Sequence, residues 1–229
     1  MYFEQVKTIL ANRKNYGGKR TQKVQFLVMH YTGVDGDSAE SNANYFKQAL
    51  NPVASAHYFV DDDSIVRSVP EEYVAYHCGA QVYYHPKCRN ANSIGIELCD
   101  TRRNGVLAPT EQTLRNAAEL VDSLMEKYDI PIENVIMHYD VTHKLCPAYW
   151  VKDRSGFERF KKMVKDGDYM TGEQIYKKLT EYLREQEAPE WAKEELAEAV
   201  ELGITDGQRP CEFTPRYQTA IMTKRATKK

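Results

Sequence analysis

Short apolar runs rich in β-branched residues recur along the first part of the chain, and one long stretch has helical spacing. Residues 24–29, Val-Gln-Phe-Leu-Val-Met, stop at His30 and predict a buried strand that delivers a histidine. Residues 39–50 read as helix. Two runs, 57–60 and 65–69, flank the short polar side chains of residues 61–64, which suit a turn, so a hairpin is expected. A further strand is expected over 93–98. From Thr110 onward, Leu114, Ala117, Ala118, Val121, Leu124 and Met125 recur at helical spacing and predict a long amphipathic helix. Residues 134–137 form another apolar run, and this one ends at His138. Strands mixed with helices imply an α/β domain over residues 1–165, built on a mixed central β-sheet flanked by helices.

Beyond residue 168 the pattern changes to three helical segments, 171–187, 189–202 and 214–226, forming a small helical C-terminal unit over 170–229. Thr171 and Thr214 suit N-caps, Pro189 and Pro215 suit first-turn positions, and Gly203 suits the residue after a helix end. Residues 165–168 read as the linker.

Charge narrows the functional classes. With 31 Lys and Arg against 33 Asp and Glu in 229 residues, the chain lacks the basic footprint of a nucleic-acid binder. No stretch is long and apolar enough for a membrane anchor, and residues 1–20 mix charges with isolated apolar positions where a secretory signal would need a continuous apolar run. The expectation is cytoplasmic synthesis. Five cysteines, an odd number, then favour free thiols or metal ligands over a disulfide framework.

His30, His138 and Cys146 stand out as candidate chemistry. Two imidazoles and a thiolate, the latter seven residues beyond His138 in a proline-flanked loop, could furnish a tetrahedral zinc with one open position. The plain alternative is that both histidines cap strands and Cys146 is a small buried residue.

Four segments resemble one family: Val-Met-His-Tyr-Thr-Gly around His30, Ser-Ala-His-Tyr-Phe-Val around His57, Asn-Ser-Ile-Gly-Ile-Glu ending at Glu97, and His-Tyr-Asp-Val-Thr-His-Lys-Leu-Cys-Pro from His138. It is the zinc amidase family that includes phage-lysozyme-type amidases and peptidoglycan recognition proteins. The resemblance spans about residues 20 to 165, in the family's order. It implies the peptidoglycan-recognition-type amidase fold, a Zn2+ cofactor on His30, His138 and Cys146, and peptidoglycan as the partner. Glu97 matches the catalytic glutamate of related bacterial and phage amidases, and Lys144 matches a lysine that stabilises the oxyanion. On residue type alone, Glu97 would be an outward strand position and Lys144 a solvated charge. His57 and His77 are expected on the substrate side, His77 as a groove-lining histidine. Ala56 departs from some phage-type members, which carry tyrosine there, so proton transfer falls to Glu97. Asp140 reads either as support for a ligand histidine or as a surface carboxylate.

His77, Cys78, His85 and Cys88 form a rival cluster that could hold a structural zinc or a Cys78–Cys88 disulfide, though adjacent His and Cys give awkward tetrahedral geometry. The segment Trp191 to Thr214 resembles the later part of an S-layer-homology repeat. A lone repeat buries little surface, so a wall-binding unit, a homodimer through this region, or a simple helical appendage are the alternatives. The function expected is hydrolysis of the amide between N-acetylmuramic acid and L-alanine, as in a phage or prophage endolysin that meets the wall after release. The competing reading is a non-catalytic peptidoglycan-recognition module, and Cys146 discriminates, because members that only bind commonly lose that ligand.

Overall fold

A computed structural model describes residues 6–170, 172–214 and 216–226. The strands are β1 (Val6–Thr8), β2 (Tyr16–Lys19), β3 (Phe26–Asp35), β4 (Tyr58–Val60), β5 (Ile65–Arg67), β6 (Tyr73–Ala75), β7 (Ser93–Arg103), β8 (Val106–Ala108) and β9 (Val135–Met137). The main sheet runs β1-β5-β4-β7-β3-β9, with β8 folded back on β7, while β2 and β6 form a separate antiparallel pair. Parallel pairing joins β1 to β5, β4 to β7, β7 to β3 and β3 to β9, whereas β4–β5 and β7–β8 are antiparallel. The sheet is therefore mixed, as expected.

The inner strands are covered on both faces, which is why they read as continuous apolar runs rather than alternating ones. Leu27, Val28 and Met29 of β3 and Ile94, Ile96 and Leu98 of β7 are fully buried. One cluster gathers Phe26, Val28, Ile136 and Val141 with Cys78 and Cys88; another gathers Ala39, Ala43, Ala56, Phe59, Val66 and Cys99. Helix α2 (Glu111–Tyr128) starts where Thr110 accepts the Thr113 amide, and the Asp62 carboxylate also accepts that amide, tying the helix start to the β4–β5 turn. It packs on α5 (Arg154–Asp166), whose buried Phe157 and Phe160 meet Trp150 of α4 (Ala148–Lys152).

Four boundaries differ from expectation. The strand expected to stop at His30 runs five residues further, to Asp35, because β7 is equally extended and pairs with it as far as Asp35 opposite Asp100. β7 itself continues past residue 98 into a hairpin through Asn104 and Gly105, both at positive φ. The helix expected over 39–50 is only α1 (Ala39–Tyr45). Buried Asn15 explains this: its amide donates to the carbonyls of Phe46 and Gln48, and its oxygen accepts the Leu50 amide, so the backbone beyond residue 45 is held in a non-helical path. Residues 165–168, read as linker, are the last turn of α5 and its left-handed Gly167 cap, followed by buried Tyr169, whose hydroxyl donates to Asp122.

The chain divides into two compact units that part after Tyr169. The second holds α6 (Gly172–Arg184), α7 (Glu190–Glu201) and α8 (Arg216–Ala226), with Gly203 left-handed just after α7. Thr171 and Pro215, expected as helix-boundary residues, lie outside the described residues. None of the unit's described side chains is buried, and Trp191 is 81% exposed.

Candidate metal centre

β3 and β9 are neighbours paired through Met29 and Met137, and each of these methionines is followed by a histidine. His30 lies in the middle of β3, with its ring fully inside the protein. His138 is the first residue of α3 (His138–Thr142), immediately after β9. The Asp140 carboxylate accepts the Met137 amide at 2.9 Å and pairs with Arg154, so it caps α3. After α3 the chain reverses through His143 at φ 59, and the Cys146 carbonyl accepts the Tyr139 amide at 2.9 Å. That return brings the thiol back beside His138.

One ligand atom from each of His30, His138 and Cys146 lies within 4.8 Å of the other two, and all three residues are buried. Cys146 Sγ is 3.7 Å from His30 Nδ1, against the roughly 3.6 Å that tetrahedral zinc with ordinary Zn–N and Zn–S bonds would require. His138 Nδ1 is buried without any hydrogen-bond partner, an orphan atom of the kind that a metal would satisfy. Burial, and then the neighbouring His138, His77 and Lys144 charges, hold His30 well below the usual histidine range; burial and then Lys144 push His138 down to about 4. Both rings are thus neutral donors. Burial and the nearby Glu97 push the Cys146 thiol up to about 12, so a thiolate there needs a cation beside it. These residues fit zinc.

Glu97 stands directly opposite His30 across the β3–β7 pair, so both side chains share a face of the sheet. Its Oε1 is 3.9 Å from His30 Nδ1, its Oε2 is buried without a partner, and its side chain remains 21% exposed. Burial raises its pKa to about 8 despite the opposing pull of Lys144. The Lys144 side chain is exposed, yet its charge acts on His30, His138, Glu97 and Cys146 alike.

The two histidines expected on the substrate side part company. His77 is half-buried, its Nδ1 3.0 Å from His30 Nε2 and its Nε2 3.1 Å from Ser93 Oγ. His57, expected on the substrate side, is fully buried: its Nδ1 accepts the Gly95 amide, and its Nε2 faces the Tyr73 carbonyl and Arg20. That burial follows from its position immediately before β4, where its backbone amide and its ring are both bonded to Gly95 of β7. Ala56 is likewise buried, in the cluster around Phe59. The rival cluster comes together only in part: Cys78 and Cys88 are buried free thiols in hydrogen-bond contact with each other, Cys78 Sγ also meeting Asn90 Oδ1, whereas His85 Nδ1 is taken up by the amides of Lys87 and Cys88. Among the described residues, His30, His138 and Cys146 are the one group of this kind that could hold a metal.

Arg20 and Asn90 carry no signal in the sequence that would have marked them. Arg20 donates to the carbonyls of Glu71, Asn90, Ala91 and Ser93, locking the entry to β7. Asn90 Oδ1 accepts the amides of His77 and Cys78.

The family model described as N-acetylmuramoyl-L-alanine amidase matches residues 20–149, which contain every residue of this centre. A probable N-acetylmuramoyl-L-alanine amidase of Bacillus licheniformis is 36% identical over 163 residues, 68% of this chain and 45% of its own length. The amidase CwlL of the same species is 34% identical over 180 residues, 75% of this chain and 48% of its own. The chain thus spans about half the length of the curated relatives it matches. Among solved structures, a mutant endolysin from Bacillus subtilis superposes with a TM-score of 0.57 at 25% identity, covering 69% of this chain and 97% of that one. Matched over more than half its length and built on the same fold, the chain belongs to the N-acetylmuramoyl-L-alanine amidase family.

Proposed function

We propose that the chain is a zinc-dependent amidase that hydrolyses the amide between N-acetylmuramic acid and L-alanine in peptidoglycan, and that it serves as a phage or prophage endolysin. The observation that carries this reading is the convergence of His30, His138 and Cys146 around the orphaned His138 Nδ1, with a carboxylate and a lysine beside them. Zinc held there would supply Lewis-acid activation of a water and of the scissile carbonyl. Glu97, whose Oε2 is buried without a hydrogen-bond partner, would take the proton from the attacking water and return it to the departing amine of L-alanine. Lys144 brings positive charge to the oxygen that becomes negative as the carbonyl turns tetrahedral. A binding-only module would need neither group.

Likeness to an endolysin supports synthesis in the cytoplasm and action on the wall after release. Among the described residues no helix is long and apolar enough to cross a membrane. The exposed apolar side chains of the 170–229 unit support a role in wall attachment or pairing of two chains.

Mass spectrometry of digested cell walls tests the reaction. The expected products are stem peptides with a free L-alanine amine and glycan strands with unaltered sugars. Activity should vanish with a strong chelator and return with zinc. Cleavage within the glycan or within the peptide, or full activity of metal-free protein, would overturn the reading.

A further inference from the structure

His77 makes its contacts in a chain whose protons can be counted. Ser93 Oγ donates its single proton to the Arg89 carbonyl at 2.7 Å. Toward His77 Nε2, 3.1 Å away, that oxygen can therefore only accept, which places the His77 proton on Nε2 and leaves Nδ1 bare. A bare His77 Nδ1 at 3.0 Å requires the His30 proton to sit on Nε2. His30 Nδ1 then carries the free lone pair, and this is the nitrogen 3.7 Å from Cys146 Sγ.

We propose that His77 is a positioning residue which, with Ser93 behind it, fixes the tautomer and ring orientation of His30 so that Nδ1 faces the metal. The inference rests on the metal-site reading above and gives His77 a different task from the groove contact implied by family resemblance. The surroundings of His77 fit a residue held for orientation. Asn90 grips its backbone amide, and its ring lies so tightly over Gly95 that a Cβ there would come within 2.5 Å of His77 Cγ. A histidine that ligates a metal through one nitrogen is oriented by the acceptor that takes the proton of the other, and losing such an acceptor typically weakens metal affinity about 10- to 100-fold.

The test compares zinc dissociation constants, by chelator competition, and cobalt(II) absorption spectra for the full chain and four variants. In His77→Ala, zinc should bind about 10- to 100-fold more weakly and the cobalt spectrum should change. In His77→Asn the side-chain oxygen takes the place of Nδ1 and can accept from His30, so most of the affinity should return. Ser93→Ala should lose affinity in the same direction but by less. Wild-type affinity and spectrum in His77→Ala, with only the KM for muropeptide raised, would overturn the proposal in favour of groove contact. Equal impairment in His77→Asn and His77→Ala would overturn it in favour of plain packing. Undiminished zinc binding by Cys146→Ser would instead overturn the metal-site reading, and this inference with it.

Discussion

Gly95→Ala is a small change with a calculable consequence. Gly95 sits inside β7 opposite Val28 of β3, its amide donating to His57 Nδ1 and its carbonyl accepting the His57 amide. An added Cβ would lie 2.5 Å from His77 Cγ, 2.7 Å from Nδ1 and 2.9 Å from Cβ. Carbon contacts settle near 3.5–4.0 Å, so the ring must retreat by about 1 Å. It has no slack, being held by Asn90, Ser93 and His30. A retreat of that size stretches the His77–His30 hydrogen bond to about 4 Å, where it ceases to be one. Overpacking costs about 1–3 kcal/mol and the lost bond about 0.5–1.5, offset by about 0.4–1 from the stiffer unfolded chain. The net is about 2 kcal/mol, or a Tm lower by about 4–8 °C for a domain of this size. Thermal unfolding of the metal-free protein measures it. Gly18→Ala is the control, since a Cβ there meets nothing within 4 Å, and it should be neutral or slightly stabilising. A Gly95→Ala protein that melts with the wild type and binds zinc equally well would refute the packing argument.

Glu97→Gln and Lys144→Ala should keep zinc and fold while kcat falls by roughly a hundredfold or more, since both act on proton transfer and developing charge; wild-type turnover in either would remove its role. Burial opposes ionisation of Glu71, but hydrogen bonds from Tyr128, Tyr58 and Lys127 outweigh it and hold the carboxyl below its ordinary range. A depressed folded pKa stabilises fully above the unfolded value of about 4.3 and fades as pH falls through the folded one. Glu71→Gln should therefore be less stable than wild type near pH 7, with the gap closing in acid; urea midpoints showing a constant gap would contradict this. A chain ending after Met170 should bind insoluble wall less well than the full chain and, by light scattering, remain monomeric where the full chain pairs. Equal wall binding and equal mass per residue would make the 170–229 unit a passive appendage.

The inner strands were legible because burial on both faces writes itself as an unbroken apolar run, and α2 was legible because its buried residues recur at helical spacing from Thr110 onward. Strand ends were not. The polar stretch after His30 stays extended only because β7 pairs with it, and Val106–Ala108 is too short to stand out despite the Asn-Gly turn before it. α1 ends where Asn15, some thirty residues upstream, takes over the carbonyls of Phe46 and Gln48. The same division holds at the centre. Residue type and spacing pointed to His30, His138 and Cys146, whereas the burial of His57 depends on Arg20, 37 residues earlier, and on the Gly95 amide. Serine at position 93 looks like any strand residue until its hydroxyl is seen between His77 and the Arg89 carbonyl.

β9 is three residues long and lies at an edge of the sheet, with β3 as its partner among the described residues. Such a strand can open by itself, at far less cost than unfolding the inner pair β3 and β7. His138 follows it directly, and the Cys146 carbonyl is bonded to the next amide, so opening the edge would pull two of the three donors away from His30. A bound ion therefore works as a clasp on this edge of the sheet. At free zinc about a thousand times Kd, each opening that releases the ion is raised by about 4 kcal/mol. Hydrogen exchange over residues 135–137 would slow by about a thousandfold, and the edge strand would approach the persistence of the strands beside it.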